Sequence, residues 1–315
     1  MKWYKIFFKQ NQPIHIGTVE WGVINETEVF IPGWTMWGAL TNQFLKTNGF
    51  NKIDESKKIF EKITNFYPVI EQKIGNSLEL KSPVLQELFP QYKKGDFAFK
   101  KSLRNDKSEQ NREDNEKEEF INKDKFKFEF VDTIVSTAVE PVLRSAKDDS
   151  LHEFEYILPK SKIDSKEKSG KNNLNQLYWI GLMGFEDDIH EKIKSFLETP
   201  PKIYIGGDSK YGFGELELCN VDEVKNEEEL KKWNLNVDGT AYIHINSVLK
   251  QFLNFSETVK FEGEIKLLAE FDFTQNIPRI QDAAYFINVG SKILNFNEID
   301  LSKYHLIKGK FIKID

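Results

Sequence analysis

Ile205-Gly206-Gly207-Asp208-Ser209-Lys210-Tyr211-Gly212-Phe213-Gly214-Glu215-Leu216-Glu217-Leu218 decides how the chain is read. Four glycines in nine residues follow a short apolar run (Ile203, Tyr204, Ile205) and lead into an alternating one (Phe213, Leu216 and Leu218 among Glu215 and Glu217). The pattern predicts strand, glycine-rich loop, strand. Glycine admits positive φ and close approach by a ligand. Successive backbone N–H groups in such a loop can form an anion-binding nest. Ser209 and Lys210 add a hydroxyl and a cation suited to phosphate, and Tyr211 or Phe213 can stack on a base. The same glycines also suit a tight hairpin with no ligand. The spacing lacks G-x-x-x-x-G-K-[ST] and leads into a strand, so it is no P-loop.

Working outward, Leu177 to Phe185 is apolar enough for a buried strand. Asp187 to Leu197 is amphipathic, a helix ending before Pro200-Pro201. Upstream, Leu151 to Pro159 reads as a strand, and Phe126, Phe128 and Phe130 alternate with Lys127 and Glu129 as a strand running to about Ser136. Between these two, Arg144, Ser145 and Lys147 form a compact phosphate-capable group. Residues 91–127 carry dense mixed charge and few apolar residues, which predicts a long exposed insertion. Residues 69–88 carry strand-like pieces around Gly75-Asn76, a hairpin signal.

At the start of the chain, residues 3–9 read as a strand, followed by Pro13-Ile14-His15-Ile16-Gly17. Beyond the Pro32-Gly33 turn, Trp37, Leu40, Phe44 and Leu45 recur at helical spacing, so a helix is expected from about Trp34 to Lys46, stopping near Gly49. The N-terminus of that helix can hold a phosphate. Trp34, next to the turn, can stack on a base or pack in the core. A second helix is expected from Asp54 to Asn65. The fold expected is α+β, with antiparallel sheets and helices on one face in ferredoxin-like (RRM-like) units. Residues 1–220 form the first domain, with its insertion at 91–127. Residues 221–315 form a smaller β-rich or ferredoxin-like unit. It contains a long alternating strand from Val259 to Phe273, a short helix within Pro278–Leu294 and a terminal strand at Ile307–Ile314.

The 315 residues include 26 Phe and 6 Trp, enough for a large core. The net charge of −6 argues against a free, general nucleic-acid coat protein, although a local basic groove within an assembly is compatible with it. Cys219 is the single cysteine, which favours a reducing compartment. No apolar run reaches membrane-spanning length and Met1-Lys2-Trp3-Tyr4 starts no signal peptide, so a cytoplasmic location and no membrane contact are expected. The five histidines are scattered and Cys219 has no cysteine partner, which gives a zinc site no support. No nucleophile signature or cofactor is expected. His15, beside Gly17, is the one candidate general base for RNA cleavage, its alternative being a structural role.

Three segments together resemble the RAMP superfamily of CRISPR-associated proteins. They are the N-terminal strand leading into Pro13-Ile14-His15-Ile16-Gly17, the segment Phe30-Ile31-Pro32-Gly33-Trp34-Thr35-Met36-Trp37-Gly38-Ala39-Leu40, and the glycine-rich loop ending Gly212-Phe213-Gly214. They span roughly residues 1–220. The resemblance implies ferredoxin-like folds and binding of CRISPR RNA inside a multi-subunit effector. A target-cleaving backbone subunit would carry an aspartate just before the I-P-G segment; Ile24-Asn25-Glu26-Thr27-Glu28-Val29-Phe30 has none. A processing endoribonuclease would use His15. The end-capping subunit, which holds the 5′ handle of the guide and docks on the large subunit beside backbone RAMP subunits, needs no catalytic residue and fits best. The expected RNA contacts are Gly206, Gly207, Ser209, Lys210, Tyr211, Gly212 and Gly214, with Arg144, Ser145, Lys147 and Trp34.

Overall fold

In the computed structural model the described residues are 1–49, 53–72, 84–103, 120–162, 174–186, 196, 202–272, 277 and 279–314. In chain order the strands are β1 (Lys2–Gln10), β2 (Gly17–Trp21), β3 (Ile24–Thr27), β4 (Tyr67–Gln72), β5 (Val84–Lys93), β6 (Asp96–Leu103), β7 (Phe120–Asn122), β8 (Val131–Ser136), β9 (His152–Ile157) and β10 (Gln176–Phe185). There follow β11 (Lys202–Tyr204), β12 (Glu215–Glu223), β13 (Phe252–Asn254), β14 (Phe261–Glu262), β15 (Ile265–Asp272), β16 (Arg279–Ile287), β17 (Lys292–Ile293), β18 (Tyr304–Ile307) and β19 (Lys310–Lys313). The α-helices are α1 (Gly33–Asn48), α2 (Ile53–Ile59), α3 (Lys123–Phe130) and α4 (Glu227–Lys232). The class is α+β, with mostly antiparallel sheets and few helices.

An antiparallel sheet in the order β11-β12-β1-β10-β4-β5-β6-β7 carries the core. β1 and β10 lie at its centre because their sequences are apolar on both faces: Trp3, Tyr4, Ile6, Phe7 and Phe8, and nearly all of β10, are buried. Gly181 lets the Phe66 ring close onto β10, since a Cβ there would lie 2.6 Å from ring carbons. α1 packs through Met36, Ala39, Leu40, Phe44 and Leu45, the one-stripe pattern that helical spacing predicts. Phe60, edge-on to both Phe44 and Phe185, links the helix to the sheet.

A five-stranded sheet, β15-β16-β13-β19-β18, is built from the last part of the chain. Asn65 ties it to α1: its Oδ1 accepts from Gly33 N (2.8 Å), and its Nδ2 donates to the carbonyls of Lys250 and Gly309 (both 3.1 Å). A Cβ on Gly33 would meet the Gly309 backbone at 2.5 Å. The start of α1 is therefore capped and covered, and the expected phosphate site there is overturned. A four-stranded sheet, β2-β3-β9-β8, and a two-stranded one, β14-β17, complete the layout of the described residues.

Several elements differ from expectation. Phe126, Phe128 and Phe130 lie on α3, followed by β8. F-x-F-x-F fits a strand, but its outer members are also i, i+4 on a helix. Phe126 and Phe130 are fully buried, Phe128 is 68% exposed, and Asn122 Oδ1 caps the helix by accepting from Lys125 N at 2.9 Å. Residues 91–127 are not one exposed insertion. Gln91–Lys93 completes β5, and β6 pairs beside it through the two-residue turn Lys94-Gly95, both with positive φ; 104–119 lie outside the described residues. The run 259–273 is split into β14 and β15 at Gly263, where φ is 142° and a Cβ would meet Ser291. The short helix expected within 278–294 is instead β16, held by its long ladder with β15. α2 ends at Ile59; beyond it Ile63 and Phe66 bridge to Met183 and Ile31. The Gly75-Asn76 turn and nearly all of the 187–197 helix lie outside the described residues.

Candidate nucleic-acid interface

The glycine-rich loop joins β11 to β12 and sits on Pro13–His15. Gly207 N donates to His15 O (3.0 Å), Gly214 N to Pro13 O (2.7 Å) and Ile205 N to Gly214 O (3.1 Å). Gly206 and Gly214 take positive φ, and a Cβ on either would strike a backbone carbonyl at 2.1 Å (His15 O) or 2.3 Å (Ile205 O). These two glycines serve the seat of the loop. At its crest Asp208, with φ 56°, opens a single 3₁₀ turn over Ser209–Tyr211. The N–H groups of Tyr211 and Gly212 bond back to Asp208 O and Ser209 O. The N–H groups of Asp208, Ser209 and Lys210 donate to no other described residue. Ser209, Lys210 and Tyr211 are exposed, Tyr211 to 81%. The crest thus presents backbone donors, a hydroxyl, an ammonium and an open phenol ring.

The fold brings His15 to this loop. Its Nδ1 donates to Glu155 O at 2.6 Å, which orients the ring, and its Nε2 has no partner among the described residues. The ring stands edge-on to Phe154, with centroids 5.5 Å apart, and lines the base of the loop beside Gly207.

Arg144, Ser145 and Lys147 stand together at the tip of a finger that extends β8 and β9. The ladder from Val131–Ile157 to Ser136–His152 continues through Lys147 N to Ala138 O and Glu140 N to Ser145 O, both 2.8 Å. Arg144 turns the tip with φ 55°, and Val142 and Leu143 beside it are 85% and 76% exposed. The base of the finger is anchored by Lys127, whose Nζ lies 2.8 Å from Glu155 and 3.2 Å from Glu26. Burial alone would lower the Lys127 pKa; the hydrogen bonds and charges of Glu155 and Glu26 outweigh it and raise the pKa above the ordinary lysine value.

Trp34 is not part of this group. Its ring packs on Phe252, with centroids 5.3 Å apart and Lys310 Nζ 5.9 Å away, and no contact joins it to the loop or finger among the described residues. Phe213 does belong to the group: it meets Phe154 and Tyr156 edge-on at 5.7 and 5.4 Å. Phe154 and Tyr156 were not singled out from the sequence, although the alternation His152-Glu153-Phe154-Glu155-Tyr156 marks one face of a strand. Among the described residues no cluster of His, Cys, Asp and Glu is arranged to hold a metal ion, and no helix is long and apolar enough to cross a membrane.

No family model matches the chain, and no curated protein matches it. Solved structures do. A chain in the cryo-EM structure of the Type III-B Cmr-beta bound to cognate target RNA and AMPPnP gives a TM-score of 0.52 at 12% identity, covering 92% of this chain and 85% of that one. A chain in the structure of Type III-B Cmr-beta bound to cognate target RNA gives 0.51 at 12% identity, over 94% and 90%. At this identity the likeness establishes a shared fold: α+β, with the architecture of chains found in the RNA-bound Type III-B Cmr-beta.

Proposed function

We propose that this chain is a RAMP-like, RNA-binding subunit of a type III CRISPR effector complex that holds the 5′ handle of the guide and catalyses no reaction itself. The observation that carries the reading is the crest of the glycine-rich loop. Three N–H groups with no described acceptor, the Ser209 hydroxyl and the Lys210 ammonium belong to one exposed turn, a set of donors suited to a phosphate. The shared fold with chains of RNA-bound Cmr-beta structures supports it. In this reading Arg144, Ser145 and Lys147 meet the same strand at the finger tip. The ferredoxin-like unit of residues 1–220 holds RNA, and the large subunit and backbone RAMP subunits are the protein partners.

The test is filter binding of labelled CRISPR repeat RNA across a salt series, with the isolated chain and with the assembled complex. Lys210→Ala and Arg144→Ala are each expected to weaken binding and to reduce the salt slope by about 0.7 for one lost phosphate contact. Unchanged binding by both variants would refute the assignment.

The His15 geometry favours one second reading, a metal-independent repeat endoribonuclease with His15 Nε2 as general base. It requires cleavage of repeat RNA by the isolated chain in EDTA, abolished in His15→Ala. Intact RNA with the wild-type protein would exclude it.

A further inference from the structure

The rings of His152, Phe154 and Tyr156 form a cluster that belongs to no other layer of the fold. The three residues alternate along β9, so their side chains share one face of the four-stranded sheet. Ile134, directly opposite Phe154 on β8, lies on that face too and is 41% exposed. Phe154 is the centre: His152 is parallel to it (6.3 Å between centroids, 11° between planes), with His15 and Phe213 edge-on around it. Phe154 is itself buried (9% exposed), but it, Tyr156 and Phe213 pack apart from the main hydrophobic core. His152 is exposed and Tyr156 half-buried, and the Tyr156 hydroxyl bonds to no described residue. The opposite face of β9 packs inward through Ile157 and the Glu155–Lys127 pair, so it already supplies what the sheet needs for anchorage.

Phe154 is buried under its neighbours and serves as the floor, so the π-faces offered to a planar ligand are those of exposed His152 and half-buried Tyr156; base–aromatic stacking is tolerant of sequence. Side chains two apart on a strand are separated by about 6.8 Å, which suits splayed rather than stacked bases. The phosphate-capable crest of the loop adjoins the same face through Phe213. We propose that the β9 face carrying His152, Phe154 and Tyr156, closed at one side by Phe213, is a nucleobase-stacking platform. It takes an unstacked base of a single strand whose phosphate lies on Asp208–Lys210. This inference rests on the RNA-binding reading and adds to it where the bases go.

The experiment is fluorescence anisotropy at low salt with two labelled probes, a short single-stranded RNA of mixed sequence and an abasic strand of equal length. The wild-type chain is expected to favour the base-bearing strand. Tyr156→Ala should weaken that strand roughly 5- to 150-fold, the range for loss of one stacked base, and leave the abasic strand unaffected. The salt slope should stay the same, because no charge is lost. Tyr156→Phe should restore binding, and His152→Ala, at an exposed position that does not threaten folding, should reproduce part of the loss. If both alanine variants keep the wild-type preference for bases, the platform is wrong. If the wild-type chain does not distinguish the strands while Lys210→Ala weakens both, the platform is wrong and the phosphate reading stands. If neither strand binds to the wild-type chain, alone or in the assembled complex, both are overturned.

Discussion

Replacing Gly206 by alanine should unseat the glycine-rich loop, and the structure sets the size of the effect. Gly206 has φ 74°, where an L-residue pays about 1–2 kcal/mol. Its new Cβ would lie 2.1 Å from His15 O, a backbone atom that no side-chain rotation can move away. Relief requires the loop to lift from Pro13–His15, which gives up the Gly207 N to His15 O bond, worth about 0.5–1.5 kcal/mol net. Together these come to about 1.5–3.5 kcal/mol. Gly212→Ala is the control: φ is 85°, but a Cβ there meets nothing within 4 Å, so only the conformational cost of about 1–2 kcal/mol remains. The assay is amide hydrogen exchange at Gly207, which reports local opening of the seat. Gly206→Ala should cut its protection by roughly 10- to 400-fold, and Gly212→Ala by several-fold less. Equal losses in the two variants would refute the argument, because they would mean that positive φ alone, not close approach to His15, holds glycine at position 206.

Other outcomes follow from packing and charge. Phe126→Ala should cost about 3–5 kcal/mol in urea unfolding, since the ring is fully buried between Phe99 and Phe130, whereas Phe128→Ala on the open side of α3 should cost under about 0.5 kcal/mol. Comparable losses would restore the strand reading of this segment. Asn65→Ala should cost about 1–3 kcal/mol, because it leaves buried Gly33 N without its acceptor, whereas the Lys250 and Gly309 carbonyls keep Tyr67 Oη and Phe252 N as donors; a thermal melt that matches wild type would show that Gly33 N finds another partner. Lys127 binds its proton more tightly folded than unfolded. Its pair with Glu155 and Glu26 therefore contributes stability fully below the unfolded lysine pKa, and this is lost as pH rises through the raised folded value. Lys127→Met should destabilise the protein at neutral pH and flatten the alkaline limb of its stability profile; an alkaline limb as steep as wild type would rule this out.

Much of the scaffold was written locally. Trp3 to Phe8 and Leu177 to Phe185 are apolar without alternation, and a strand buried on both faces needs just that, so both became central in the large sheet. The helix carrying Leu40, Phe44 and Leu45 and the glycine-rich turn between two short strands were equally legible, since helical period and positive φ are properties of neighbouring residues, although Met36, not the expected Trp37, opens the buried stripe. Other outcomes depended on partners far away in the chain. F-x-F-x-F at 126–130 satisfies two periods, and burial of only its outer two rings, against Phe99 and each other, selected the helix. The charges of Lys100 and Lys101 hid β6, which β5 and β7 define by pairing on either side. The start of α1 looked open until Asn65 and Gly309 covered it. His15, Phe154 and the loop at 205–214 met only because β9 and the β11–β12 turn fold onto the segment after β1. The sequence determined which segments could be strand, helix or turn, because those preferences reside in short-range sterics and periodicity. The tertiary structure decided which faces were left open and which side chains converge, because long-range pairing and burial leave no mark on any single stretch.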